Sequence, residues 1–267
     1  MKHLGFIPPI IDNTHYVLGG GNLGLTILQE DSNWTSLLPV DEIQLKNSVE
    51  TANCTAFGTT NSIEILMFKL FGERVNYSDR WLGIVAGTRF PGNDPHTVAE
   101  AIRKHGLIPE SMLPFSDDIK SEEEYYSFKG ANEEECRKAG KEWLAKYDFR
   151  HEWVFRPGQS MDEQINNMKV ALKSSPLCIA LYAWASDNRN VYYSLGQPNH
   201  WTTVYNIAQF MEIFDSYSPF RKLVDQNILY CKRYSIVKKL ELQEQLNIIE
   251  KILLWIQEQI NKIKLST

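Results

Sequence analysis

Cys54 stands in Glu50-Thr-Ala-Asn-Cys54-Thr-Ala-Phe-Gly58 and opens a run in which Ala56, Phe57, Ile63, Leu66, Met67, Leu70 and Phe71 recur at spacings of three and four, the period of a helix with one buried face. A thiol in the first turn of a helix lies near the positive end of the backbone dipole, which favours thiolate and makes the sulfur a nucleophile near neutral pH. Asn53, directly before it, has the side chain of an N-cap. A buried structural cysteine is the commoner role for such a residue. Two segments further along set Cys54 apart. Asn199-His200-Trp201 leads into the alternating, β-branched run Thr202–Ile207, and a second apolar run, Phe210–Phe214, ends at Asp215-Ser-Tyr217. Paired as an antiparallel hairpin, the two runs set His200 beside Asp215. Thiol, imidazole and carboxylate are the parts of nucleophilic acyl transfer: the imidazole takes the thiol proton and later protonates the leaving group, while the carboxylate fixes the ring's tautomer.

From about Pro39 to about Tyr234 these residues resemble the papain-like cysteine peptidases. Cys54-Thr-Ala-Phe57 is similar to the family's Cys-Trp-Ala-Phe at the head of its central helix, and Tyr77-Ser-Asp-Arg-Trp-Leu82 to the segment after that helix. Pro91-Gly-Asn-Asp-Pro95, followed by Thr97–Glu110 and Pro114-Phe115, looks like its glycine-containing cleft wall, next helix and Pro-aromatic pair. Asn199-His200 and Asp215-Ser-Tyr217 resemble its Asn-His and Asn-Ser-Trp. The resemblance implies an α+β fold of two lobes, one helical and one antiparallel β. It also implies a Cys54–His200–Asp215 triad that cleaves peptide bonds through an acyl-enzyme, with Gln44 and the Cys54 backbone amide as oxyanion donors. Gly92 and Asn93 would pair with the substrate backbone, and Trp201 and Tyr217 would flank the leaving-group side. Four positions depart from the pattern. Asp215 replaces the usual Asn and adds a negative charge that raises the histidine pKa; Gln44 lies ten positions before Cys54, further than in the family. Trp201 replaces a small residue, and Asn53 the usual Ser. Family precursors carry an inhibitory helical propeptide; nothing here resembles one, and the chain is similar overall to propeptide-free papain-like proteins of bacteriophages and bacteria.

The elements that must position these groups can be read more coarsely. A chain of 267 residues suits one large domain or two lobes. The expected organisation is an extended arm over 1–40, a catalytic domain over 41–237 and a C-terminal amphipathic helix over 238–267. Within the catalytic domain the helical lobe spans about 41–115, an insertion about 116–150 and the β lobe about 151–237. Asn132-Glu-Glu-Glu135 reads as a capping box for a surface helix through Leu144, and Ser160-Met-Asp-Glu163 as another, leading into a strand Leu177–Ala183 beside those of His200 and Asp215. Gly19-Gly-Gly21-Asn-Leu-Gly24 reads as a turn, because no strong strand precedes it and no helix follows. In the tail, Leu242, Leu246, Ile249, Leu253, Ile256, Ile260 and Ile263 alternate spacings of four and three, a heptad seam over about three heptads. Ile248, Ile252 and Trp255 widen its apolar face, so this helix either packs back on its own domain or assembles the protein as a homo-oligomer through a coiled coil.

A formal net charge of −5 argues against nucleic acid or a membrane surface as the main partner. The start Met1–Asp12 does not read as a signal peptide and no stretch is long enough to span a bilayer, which points to a cytoplasmic, and compatibly a phage-associated, protein. Four cysteines without paired spacing suggest a reducing compartment and neither metal nor cofactor, with Cys178 a core strand residue. The leading expectation is thiol-dependent hydrolysis of peptide or protein substrates. The alternatives are a catalytically weak or inactive scaffold used for binding or assembly, and a related amidase or acyl transferase.

Overall fold

The computed structural model describes residues 5–20, 23, 24, 26–156, 158–240 and 242–266, without side chains at 242–248, 258 and 263–266. Part of the Gly19–Gly24 run therefore lies outside the described residues. The arm contributes β1 (Gly5–Phe6), and a hairpin of β2 (Leu45–Lys46) and β3 (Val49–Glu50) leads into α1 (Cys54–Phe71). Every residue of α1 from Cys54 to Met67 is buried, not one face alone. The cause is that α1 is central: α2 (Asp79–Val85) and α3 (Pro95–His105) pack against it from one side and the sheet from the other. β4 (Gly92–Asn93) precedes α3, whose start is set by Pro95 in the first turn and by Asp94 accepting from the His96 and Thr97 amides.

Ser121 and Asn132 cap α4 (Glu122–Tyr125) and α5 (Glu133–Lys146). α5 runs directly into β5 (Tyr147–Trp153), so the sheet begins inside the stretch expected to be an insertion. α6 (Met161–Leu172) starts at a capping box of Ser160 and Glu163. β6 (Leu177–Leu181), β7 (Val191–Tyr193), β8 (His200–Ile207), β9 (Met211–Phe214), β10 (Arg221–Asp225), β11 (Cys231–Lys238) and α7 (Leu242–Ser266) complete the chain. The sheet runs β5-β11-β6-β8-β9-β10-β7, and β8 and β9 form the antiparallel hairpin read from the sequence. β10 and β11 are hidden in the sequence because charged residues interrupt their apolar pattern; Lys222, Lys232 and Arg233 are nevertheless buried.

Gly58, one turn into α1, sets how closely helix and sheet approach. Its carbonyl accepts from Thr203 Oγ1 at 2.8 Å and from Cys178 Sγ at 3.0 Å, and a Cβ there would lie 3.0 Å from Trp201 Cδ1 and 3.2 Å from Thr202 Cα. The segment around α4 packs behind the start of α1. Tyr126 Oη donates to the Thr51 carbonyl at 2.6 Å, and the Arg80 guanidinium donates to the carbonyls of Pro114, Glu124, Tyr125, Ser127 and Lys129. On α7, Ile249, Ile252, Leu253 and Trp255 are 50–61% exposed, so this part of the helix does not pack back on the domain. The seam's Leu242, Leu246 and Ile263, and Ile248 beside it, have side chains outside the described residues. Among the described residues no helix is long and apolar enough to cross a membrane.

Carboxyl groups of Glu42, Glu64, Asp79 and Glu110 cluster beside α1. Burial pushes all of these upward, Glu110 to about 7, and their mutual repulsion reinforces it for Glu64, Asp79 and Glu110. A carboxyl whose folded pKa is raised contributes fully below its ordinary value and loses that contribution as pH rises through the folded one. For Glu110 this window runs from 4.5 to about 7. Half-buried His96 and buried His151 are depressed and work in the opposite sense, so the informative quantity is a difference between variants. Glu110→Gln, which keeps an acceptor for the Phe115 amide, should gain in melting temperature relative to the parent as pH rises from 4.5 to 8, by about 2–4 °C for each kcal/mol recovered. Thermal denaturation of both proteins across that range checks it.

Candidate active site

Cys54 is the first residue of α1 and is fully buried. Asn53 precedes it but does not cap the helix with its side chain, as the sequence had suggested. Its Nδ2 instead donates to the Asp79 carbonyl at 2.8 Å and to Tyr125 Oη at 2.9 Å, so a tertiary contact displaces the local one. The thiol also departs from expectation. Burial pushes it well above the ordinary range and the charges of Asp215 and Glu50 add to this, while the backbone N–H groups of Trp201 and Thr55 pull the other way without prevailing. A helix terminus is worth about 0.3–1 kcal/mol, too little to hold an anion in a dry site.

His200 opens β8 and is fully buried; Asp215 follows β9. The hairpin brings His200 Nε2 to 2.5 Å from Asp215 Oδ1. Nδ1 of the same ring is buried and has no hydrogen-bond partner among the described residues, and the next backbone N–H, that of Trp201, reaches the Cys54 sulfur. Lys222, on β10, forms a buried ion pair with Asp215 Oδ2 and also donates to the carbonyls of Tyr217 and Pro219 at 2.5 and 2.6 Å. Burial alone would raise the Asp215 carboxyl, but His200 and Lys222 outweigh it and hold the group below its ordinary value. Aromatic rings close the sides: Trp184 lies 5.0 Å and Tyr217 5.4 Å from the His200 ring, centroid to centroid.

Gln44 is buried near this centre, with its amide engaged. Nε2 donates to Glu50 Oε1 at 2.9 Å and to Tyr217 Oη at 2.7 Å, while Oε1 accepts from Ser216 Oγ at 2.8 Å. Glu50 also accepts from Tyr217 Oη at 2.6 Å and from the Ala52 amide at 3.1 Å, so one carboxylate holds the Gln44 amide together with two other donors. Tyr217, expected to flank the leaving-group side, sits beside His200 with its hydroxyl turned to Glu50.

Gly92 and Asn93, expected to pair with substrate, pair in parallel with Gly5 and Phe6 of the arm. Gly5 is wedged between two backbones: a Cβ there would lie 2.2 Å from the Ala52 carbonyl oxygen, and one on Gly92 would lie 2.0 Å from that of Gly5. The Ile7 amide donates to the Asn93 carbonyl at 3.0 Å and the Phe6 amide to the Asn199 carbonyl at 3.4 Å. Trp201 does not flank an open leaving-group side. It is fully buried with the Phe6 ring stacked on it at 5.7 Å, because successive strand residues face opposite ways and the side chain after His200 must turn from it. The arm is fastened again at Tyr16 and Leu18, whose backbones pair with Trp153, and the His15 ring lies 4.0 Å from that of His96.

Glu50, Trp184, Lys222 and the Gly5–Phe6 segment are the parts that sequence reasoning missed. The glycine of Gly5-Phe6 is the one local signal, since a backbone clamped on both sides at φ 109° excludes a side chain.

No family model matches the chain, and no characterised protein sequence matches it. Solved structures do. Xylellain, a cysteine protease from Xylella fastidiosa, gives a TM-score of 0.61 at 14% identity over 90% of this chain and 97% of that one. The Amb a 11 cysteine protease of ragweed pollen, in its proform, gives 0.54 at 12% over 80% and 68%. Digestive procathepsin L 3 of Tenebrio molitor gives 0.52 at 15% over 88% and 76%. The chain has the papain-like α+β fold, with α7 in addition.

Gly5→Val should unseat β1, because its side chain meets the Ala52 carbonyl. A clash of about 1.4 kcal/mol already opens the groove about tenfold more often. The rate of Cys54 alkylation by iodoacetamide, followed by mass spectrometry, should rise by at least that factor; an unchanged rate would show that the segment does not limit access.

Proposed function

We propose that this protein is a thiol peptidase acting on peptide or protein substrates, with Cys54 as nucleophile, His200 as general base and acid, and Asp215 as the group that orients the ring. The observation that carries the reading is the imidazole's two-sided arrangement. Nε2 pairs with the Asp215 carboxylate, which leaves Nδ1, without a hydrogen-bond partner among the described residues, as the ring nitrogen that can take the thiol proton. Transfer of the thiol proton to Nδ1 creates thiolate and imidazolium together, so the buried sulfur need not ionise alone. The thiolate attacks the scissile carbonyl, the imidazolium protonates the leaving amine, and water hydrolyses the acyl-enzyme.

Two features make the resting state closed. Gly5 and Phe6 hold the groove wall that an extended peptide would use, by backbone hydrogen bonds that read no sequence. Glu50 holds Gln44, and productive binding requires that carboxylate to give up the amide so that Gln44 Nε2 and the Cys54 N–H can face the oxyanion. The Phe6 ring on Trp201 marks where a substrate side chain enters, and an aromatic or large apolar residue fits that stack. Cys54→Ala should lower turnover of fluorogenic peptides by about 10³-fold or more and abolish labelling by papain-class epoxides, with an unchanged circular dichroism spectrum. Full turnover in that variant would refute the assignment, and labelling of the parent without turnover would favour a binding scaffold or an amidase or acyl transferase.

The exposed seam on α7 supports a second property, self-association. Ile249, Leu253, Ile256 and Ile260 are 41–60% exposed, and their alternating spacing is the pattern that another copy of the same helix complements. Sedimentation of the full chain should give a mass that depends on concentration, and a chain ending at Leu240 should remain a monomer; equal masses would remove α7 from any role in assembly.

A further inference from the structure

The Lys222 ammonium has three protons and three acceptors: Asp215 Oδ2, the Tyr217 carbonyl and the Pro219 carbonyl. Its side chain is 2% exposed and that of Asp215 is fully buried, so water does not screen their pairing. Trp184, whose ring packs edge-on against His200, lies 4.6 Å from Lys222 Nζ. The Asp215 carboxylate is thus shared, one oxygen with an imidazole and the other with an ammonium. A buried carboxylate facing an imidazole alone would hold a proton on that ring and resist a second anion nearby. Cys54 must become such an anion.

We propose that Lys222 is a positioning residue for proton transfer: it neutralises Asp215, so the carboxylate acts on His200 as a neutral amide would, accepting a hydrogen bond without adding net charge to the thiolate–imidazolium pair. The inference rests on the catalytic reading of Cys54, His200 and Asp215. It accounts for the acidic residue at a position where the resembled family uses Asn: the charge that Asp215 brings is cancelled seven residues further on. The same ammonium holds the Tyr217 carbonyl, which keeps the ring that covers His200 in place.

The test compares the full-length parent with Lys222→Met, Asp215→Asn and the double variant. Two readouts serve: the pH dependence of Cys54 labelling by iodoacetamide, and the titration of the His200 ring by NMR. In Lys222→Met the unbalanced carboxylate should move both limbs of the labelling profile, and the ring titration, up by about one pH unit or more. Asp215→Asn leaves an unbalanced ammonium and should move them down. The double variant, neutral at both positions, should return to within about 0.3 unit of the parent, a cancellation that a merely structural lysine cannot produce. Shifts of the same sign in both single variants, or a double variant no closer to the parent than either, would overturn the proposal. A parent that reacts like an isolated thiol would overturn the catalytic reading; the ring titration still decides Lys222, because an unmoved His200 in Lys222→Met rejects its role. Should Lys222→Met fail to fold, Asp215→Asn and the double variant carry the same comparison.

Discussion

The contact at Gly58 fixes the distance on which the whole site depends. The helix that begins with Cys54 and the strand that begins with His200 meet one turn further along, where there is no room for a Cβ and where one carbonyl accepts from two side chains of the sheet. Close packing of this kind transmits displacement, since interiors have little free volume to absorb it. A group at the head of each element is thereby held at a separation set where the Gly58 backbone meets the Trp201 ring and the Thr202 backbone.

The fold also buries ionisable groups that partner one another. Asp215 lies between His200 and Lys222; His151 lies between Glu100 and Lys232, at 2.8 and 3.0 Å; Arg233 pairs with Glu152 at 2.7 Å. In the first two cases a histidine or carboxylate bridges two other groups, so a change at one end is felt at the other. Such chains give the sheet little hydrophobic advantage over apolar residues of similar size, but they constrain which protonation states can coexist.

Cys54, His200 and Asp215, the residues of the proposed triad, were legible in the sequence because each sits at the end of an element with a local pattern: a helical period after Cys54, an alternating run after His200, a second apolar run before Asp215. The hairpin follows from those runs, and the register then sets the two side chains together. What the sequence hid has no local period. Lys222 and Glu50 have no local pattern that marks them, and only their tertiary partners explain their placement. Asn53 has the propensity of a cap and a different job, because Asp79 and Tyr125 offer stronger partners. The dipole argument for Cys54 was sound in sign but was outweighed by desolvation, which depends on what covers the sulfur and cannot be read from its neighbours in the chain. The papain-like fold was readable from the order of segments, whereas β10 and β11 were masked by lysines and an arginine that turn inward.

The arm is tied at two places, by Gly5–Phe6 against Gly92–Asn93 and by Tyr16–Leu18 against Trp153. A segment joined to its own receptor by a short strap returns to it as though present at about millimolar concentration, whatever the amount of protein in solution. Under the proposed peptidase reading, a visiting peptide competes with that local excess, and its apparent affinity falls by the fraction of time the groove stands empty. Dilution does not relieve the competition, whereas a ligand that reaches past the few residues the strap occupies gains contacts the strap does not have. The geometry therefore discriminates by the length of the visitor before any side chain is read.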